Sequence, residues 1–212
     1  MLSDLEISQC IATKLCHDLA GTMGAINSGI DFIVSDNLEM RNKAIDLIKS
    51  SSDQSINRLV FFRHAYGIAK YNGEADLDSL KKITKDFLND SKVTLDFHEK
   101  YFHISGIFIS TNLGKLMLCI IQHAYSNLIH GGKILVKIEK QHEKNFIEIS
   151  GIGNSPKIDK EKDEILNGFF DKHELNTNNC TSFFAAKLAH ILGVKVITNT
   201  EEKDKIIYKI EF

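Results

Sequence analysis

The sequence predicts an α+β fold in which an antiparallel helical hairpin is followed by a mixed α/β domain. Residues 4–34 and 38–66 carry apolar side chains at helical spacing, and only the short polar segment SDNLE interrupts them. Two long helices with so short a connection are expected to pack antiparallel. After the polar segment KYNGEAD at 70–76, shorter helical patterns alternate with strand-like ones. We therefore divide the chain into a hairpin, residues 1–70, and a second domain, residues 71–212.

The first helix carries one long apolar stripe and a second, shorter line of small or apolar residues. The stripe follows steps of three and four residues and consists of Ile7, Ile11, Leu15, Leu19, Met23, Ile26, Ile30 and Ile33. The second line consists of Ala12, Cys16, Ala20 and Met23. Because one hairpin cannot cover two apolar faces, we expect a second copy of the chain to complete a homodimeric four-helix bundle.

The second domain is predicted to be an α/β sandwich with helices on a mostly antiparallel sheet. The predicted helices span residues 76–90, 111–130, 159–170 and 179–192. The predicted strands span residues 93–99, 133–140, 144–150, 194–200 and 205–212. Glycines at the ends of two helices, Gly131-Gly132 and Gly193, favour these boundaries.

Composition argues against several classes of partner and site. The formal net charge is −2, which provides no electrostatic reason to expect nucleic acid or an anionic membrane. No apolar run approaches the roughly 20 residues of a membrane span, and the N-terminus has no signal-peptide pattern. A cytoplasmic protein is the expectation. The four cysteines lack CxxC spacing, which favours free thiols over disulfides or a metal site.

His17, within KLCHDLAGTMGAI at 14–26, is the candidate functional residue. It lies about 160° around the helix from Leu15 and Leu19, on the side away from the apolar stripe. The residues at helical spacing from it on that side are small: Thr13, Gly21, Gly24 and Ser28. A mid-helix glycine costs about 1 kcal/mol relative to alanine. We therefore expect a partner to approach closely beside His17, although helix packing is the alternative and is favoured for Gly29.

Several segments resemble the ChpT-type histidine phosphotransferases of alphaproteobacteria. They are LCHDL at 15–19, GAI at 24–26, AIDLI at 44–48, RLVFFRHAYG at 58–67 and AAKLA at 185–189. The resemblance implies the hairpin of a histidine kinase followed by a degenerate ATPase-like domain. One departure is the pair Gly21-Thr22, where the family usually has serine and proline.

The resemblance also implies a function and a set of site residues. His17 would accept a phosphoryl group from the receiver domain of a hybrid histidine kinase and pass it to the receiver domains of response regulators. The partner receiver would supply Mg²⁺. The positions of two neighbours, and not the resemblance, make them candidate helpers: the carboxylate of Asp18, next in sequence, could orient the ring, and Lys14, one turn back, could screen the phosphoryl charge. The small residues Thr13, Gly21, Thr22 and Gly24 are the predicted docking surface.

The second domain is expected to bind no ATP. Kinases of this architecture use an asparagine, an Asp-x-Gly-x-Gly turn and a glycine-rich loop, and the corresponding residues here are His123, SGIG at 150–153 and NCTS at 179–182. No cofactor and no autophosphorylation are therefore predicted. Two alternatives remain open: an active histidine kinase with a divergent ATP site, and a non-catalytic dimeric adaptor that binds receivers.

Overall fold

The computed structural model describes residues 3–68, 73–98, 107–141, 144–200 and 203–212. The helices are α1 (Asp4–Ile33), α2 (Leu38–Tyr66), α3 (Leu77–Phe87), α4 (Thr111–Asn127), α5 (Lys160–Leu166) and α6 (Cys180–Leu192), with a short 3₁₀ turn at Phe170–Lys172. The strands are β1 (Val93–Phe97), β2 (Gly132–Gln141), β3 (Lys144–Ile152), β4 (Lys195–Asn199) and β5 (Lys205–Glu211). The α+β class and the order of the predicted elements are confirmed.

The hairpin begins and turns at strong caps. Ser3 and Glu6 form a reciprocal capping box at the start of α1. Their side chains accept hydrogen bonds from backbone N–H groups that have no partner within the helix. Asn37 accepts hydrogen bonds from the backbone N–H groups of Glu39 and Met40 at the start of α2. These two caps define where each long helix begins.

Small residues form the interior of the hairpin. The buried positions in its middle are Thr22 and Gly29 on α1 and Ala44, Ser51 and Ser55 on α2. A Cβ atom added to Gly29 would lie 2.6 Å from Cγ1 of Ile48, so the absence of a side chain there allows the close approach of the two helices. The prediction that Gly29 serves helix packing agrees with this contact.

The predicted apolar stripe of α1 is wrong as a description of the hairpin core. Ile7 and Ile11 are buried, but against Cys180, Phe183 and other residues of the second domain. Farther along the stripe, Met23 is 56% exposed and Ile30 is 53% exposed. The stripe therefore changes partner along its length, and beyond Leu19 the fully buried positions between α1 and α2 are held by small residues.

The second domain is a five-stranded sheet with strand order β1-β2-β3-β5-β4. The β1–β2 pair is parallel and the other three pairs are antiparallel. The helix predicted over 111–130 ends earlier, at Asn127, because the chain turns through Gly131 and Gly132, which both have positive φ. The predicted strand pairs 133–140 with 144–150 and 194–200 with 205–212 are confirmed.

The C-terminal end of α2 is part of the core of the second domain. Phe61, Phe62 and Ala65 are buried in the same apolar cluster as α4 and the sheet. The Tyr66 hydroxyl donates to the side chain of Gln122 on α4. The predicted domain boundary between residues 70 and 71 lies outside the described residues. Within them, the embedded end of α2 packs the hairpin against the second domain.

Candidate phosphotransfer site

His17 projects into solvent from the middle of α1. Its side chain is 89% exposed, and its Nδ1 lies 3.7 Å from Oδ1 of Asp18. This distance is longer than a hydrogen bond, so the Asp18 carboxylate lies beside the ring without being bonded to it. Because Nδ1 faces Asp18, Nε2 is the ring nitrogen left for a partner.

Asp18 and Lys14 pair with each other beside His17. Lys14 Nζ lies 3.1 Å from the Asp18 carboxylate, and both side chains are about one quarter exposed, at 25% and 23%. The Arg58 guanidinium of α2 donates to the main-chain carbonyl of Asp18 at 2.7 Å. The turn that carries His17 is therefore tied to α2 by Arg58 and along α1 by Lys14.

The surface next to His17 is largely as open as predicted. A Cβ atom added to Gly21 or to Gly24 would meet nothing within 4 Å. Thr13 is exposed, and its hydroxyl donates to the carbonyl of Gln9. These three positions are accessible to another protein.

The assignment of Thr22 to the docking surface is wrong. Thr22 is only 7% exposed. Its hydroxyl donates to the Leu19 carbonyl and accepts a hydrogen bond of 2.7 Å from the Ser55 hydroxyl of α2. Thr22 faces the other helix because it lies on the interior row of α1, seven residues before Gly29.

The second domain lies against α1 beside Thr13. A shallow depression is formed by Cys10 and Thr13 of α1 together with His173, Glu174 and Leu175. His173 is held by a 2.9 Å contact between its Nε2 and the Glu164 carboxylate. A protein that contacts Thr13 would therefore also meet this segment.

At the positions that correspond to the nucleotide site of kinases, the side chains are engaged with each other. His123 is buried, and its Nε2 lies 3.1 Å from Oδ1 of the equally buried Asp163. The Asn179 side chain donates to the carboxylate of Glu161 and to the main-chain carbonyl of Glu174. These contacts hold α4, α5 and the start of α6 together.

The segment SGIG is mostly strand: Ser150, Gly151 and Ile152 are the last residues of β3, and the chain leaves the sheet at Gly153. A Cβ atom on Gly153 would lie 2.7 Å from the carbonyl oxygen of Gly131. Glycine is needed there because the two turns pack backbone to backbone.

Sequence reasoning missed Arg58 and Lys162. Both line a cleft between the hairpin and the second domain that Lys14 and Asp18 also line. A signal was present for Arg58, because it falls on the interior row of α2 defined by Ser51, Ser55 and Phe62. A charged residue on such a row needs a partner. Lys162 carries no comparable signal, since it lies far from Arg58 along the chain.

The fold is a helical hairpin that presents an exposed histidine, followed by an α/β domain. Residues 77–204, more than half of the chain, match the family model described as the histidine phosphotransferase C-terminal domain. The chain belongs to the histidine phosphotransferase family and is a phosphotransferase of the phosphorelay type.

Two relatives resemble the chain over nearly its whole length. The protein phosphotransferase ChpT of Brucella abortus (strain 2308) is 22% identical over 211 residues, which cover 99% of this chain and 97% of that protein. A solved bacterial phosphotransferase superposes with a TM-score of 0.82 at 20% identity, covering 99% of this chain and 98% of that one. At this identity, the structural match establishes the fold.

A histidine kinase, AdeS of Acinetobacter baumannii, matches with a TM-score of only 0.49 at 14% identity, over 93% of this chain and 94% of that one.

Among the helices of the described ranges, none combines the length and apolar character needed to cross a bilayer. Within those same ranges, no group of three or more His, Cys, Asp or Glu side chains is placed to hold a metal ion.

Proposed function

We propose that His17 is the phosphoacceptor, taking a phosphoryl group from an aspartyl phosphate of one receiver domain and returning it to an aspartate of another. The observation that carries this proposal is the 89% exposure of an imidazole whose Nδ1 faces Asp18 on a hairpin helix. An exposed, oriented ring on a rigid helix is what a large protein partner needs for direct contact.

The transfer requires little covalent help from the chain. The lone pair on Nε2 of His17 attacks phosphorus, a P–N bond forms, and the P–O bond to the donor aspartate breaks to release its carboxylate. The proton on Nδ1 stays on the ring, where the Asp18 carboxylate stabilises the developing positive charge. The reverse step breaks the P–N bond as the acceptor aspartate attacks.

Positioning and charge neutralisation dominate phosphoryl transfer. In this proposal, the receiver domain supplies the Mg²⁺, and this chain binds neither a metal nor ATP. Lys14 and Asp18 act as a pair that sets the field beside His17. Thr13, Gly21 and Gly24 form the docking surface.

The functional unit is a homodimer in this proposal. Four exposed apolar residues each directly follow a buried small one: Met23 after Thr22, Ile30 after Gly29, Ile45 after Ala44 and Ile56 after Ser55. One residue is about 100° of helical rotation. Two antiparallel helices are related by an approximate twofold axis. The same rotation from the buried residue to the next residue on each helix therefore places the apolar row of α1 (Met23 and Ile30) and that of α2 (Ile45 and Ile56) on the same side of the hairpin. A second copy presenting the same rows would bury them in a four-helix bundle.

The second domain takes part in docking in this proposal, through the shallow depression that Thr13 shares with Glu174. Reversing an exposed charge there, by Glu174→Lys, is expected to change the receiver concentration that gives half-maximal transfer without changing the maximal rate. Glu39→Lys at the far end of the hairpin is the matched control. If the two variants behave alike, the second domain does not contribute to docking.

Phosphoryl loading tests the acceptor assignment directly. The purified chain is incubated with a receiver domain carrying labelled aspartyl phosphate and Mg²⁺, and we expect label that is stable in base and labile in acid. The label should fall to background in His17→Ala and persist in His130→Ala, which removes another exposed histidine. Label that survives in His17→Ala would place the acceptor elsewhere.

The same labelling experiment distinguishes the phosphotransferase from the two alternatives, an active histidine kinase and a non-catalytic adaptor. An active kinase would gain label from γ-labelled ATP with no receiver present, whereas the proposed phosphotransferase gains none. A non-catalytic adaptor would bind the phosphorylated receiver yet never acquire label on His17.

A further inference from the structure

The cleft between the hairpin and the second domain has a volume of about 280 Å³ and is lined by Asp18, the residue after His17. Its hairpin wall is formed by Lys14, Asp18, Arg58 and Phe62. Its other wall comes from α3, α4, α5 and the start of α6, so neither part of the molecule forms this cleft alone.

Three cationic side chains line the cleft: Lys14, Arg58 and Lys162. Lys14 is neutralised by Asp18, and Lys162 lies 3.0 Å from the Asp159 carboxylate. Burial disfavours the charged form of Asp159, but the hydrogen bond and charge of Lys162 outweigh burial and hold the pKa of Asp159 below its ordinary value. These two cations are therefore paired.

Arg58 is different. Its side chain donates to the neutral carbonyl of Asp18, and among the described residues no carboxylate lies within ion-pair distance of it. A partly buried guanidinium has lost part of its hydration and retains further N–H donors, whose planar fork matches a phosphate or a carboxylate. An anion in the cleft would complete its hydrogen bonding.

The rest of the wall is aromatic with polar tips. Phe62, Phe87 and Tyr125 all line the cleft, and the rings of Phe87 and Tyr125 meet edge to face with centroids 5.5 Å apart. Gln122 and Ser126 add hydrogen-bonding groups. A pocket with apolar walls and a few convergent polar groups is the usual architecture of a small-molecule site.

We propose that this cleft binds a small organic anion that carries one phosphate or carboxylate group on an aromatic ring. Arg58 anchors the anionic group, and the ring packs against Phe87 and Tyr125. The proposal does not depend on phosphoryl transfer through His17, because direct binding measures it.

Phenyl phosphate is the probe, titrated into the full chain while the backbone amide signals of Gln122 and Ser126 are followed by NMR. We expect saturable shifts and an affinity at least about tenfold above those for inorganic phosphate, which lacks the ring, and benzyl alcohol, which lacks the charge. Equal affinity for phenyl phosphate and inorganic phosphate would overturn the ring site. Tighter binding of Mg-ATP than of phenyl phosphate would identify a nucleotide site instead.

Two variants locate the binding in the cleft. Arg58→Gln should weaken phenyl phosphate binding about tenfold, as expected for loss of a charge-assisted hydrogen bond to an anion, and Phe87→Leu should weaken it without changing the charge. Arg41→Gln, at an exposed arginine of α2, is the control and should bind as the wild type does. Unchanged binding in both Arg58→Gln and Phe87→Leu, or shifts confined to amides outside the cleft, would refute the proposal.

Discussion

The two exposed sides of α1 differ in the kind of surface they present. On one side, Met23 and Ile30 are more than half exposed although they are large and apolar. On the other, His17 stands among Thr13, Gly21 and Gly24, where added Cβ atoms at the glycines would meet nothing. Solvent exposure alone does not distinguish the two sides, but side-chain size and polarity do.

The difference indicates two kinds of contact. Large apolar side chains are worth burying permanently, since each contributes roughly 1.5–3 kcal/mol when fully buried. A strip of small residues yields little area and suits a partner that must approach closely and leave again. In the proposal, the same helix provides the dimer interface on one side and the receiver-docking surface about 120° away.

Charging the apolar side should have the largest effect. The double variant Ile45→Glu with Ile56→Glu places carboxylates on the row proposed to meet a second copy, where desolvation opposes burial. We expect the dimer dissociation constant to rise at least about 100-fold, equivalent to ~2.7 kcal/mol, as measured by analytical ultracentrifugation.

Leu47→Glu is the matched control for the double variant. Leu47 is 39% exposed and lies about 160° from Ile45 around α2, so its dissociation constant should stay close to that of the wild type. A wild-type chain that sediments as a monomer at high concentration would contradict the proposed homodimer.

Two glycine variants sharpen the contrast between the interior and the open strip. Gly29→Ala would place its Cβ 2.6 Å from Ile48 Cγ1 and 3.2 Å from the Ala44 carbonyl oxygen, and we expect unfolding to become easier by about 1–3 kcal/mol. Gly24→Ala meets nothing, and we expect a gain of about 0.5–1 kcal/mol. Urea denaturation measures both. Destabilisation by Gly24→Ala would mean that the strip is already occupied, in the isolated chain or its dimer.

Much of the fold follows from the sequence because its signals are local. The ends of both long helices, the two strand hairpins and the stop at Gly193 are set by caps, alternation and turn residues near them in the chain. The prediction of the hairpin core is wrong because it ranked the residues of α1 by hydrophobicity, whereas the close approach of α1 and α2 selects small side chains. Thr22 and Gly29 lie between the helices, and their larger neighbours do not.

The candidate site also has one part that the sequence predicts and one part that depends on packing. His17, Asp18 and Lys14 are close in sequence, so helical geometry alone relates them. Arg58 reaches Asp18 from the other helix, and His123 meets Asp163 from a different element. Contacts between residues so far apart depend on the packing of whole elements, which no local pattern records. The open positions Gly21 and Gly24 followed from spacing, whereas the burial of Thr22 required the position of Ser55.

A chase experiment measures whether a phosphoryl group on His17 moves on to a second receiver domain. The chain is first loaded with label and freed of its donor, and then an unphosphorylated receiver domain with Mg²⁺ is added. We predict that label leaves the chain and appears on the receiver aspartate as fast as it leaves the chain. Label that stays on the chain, or that appears only as free phosphate and never on the receiver, would contradict a relay through His17.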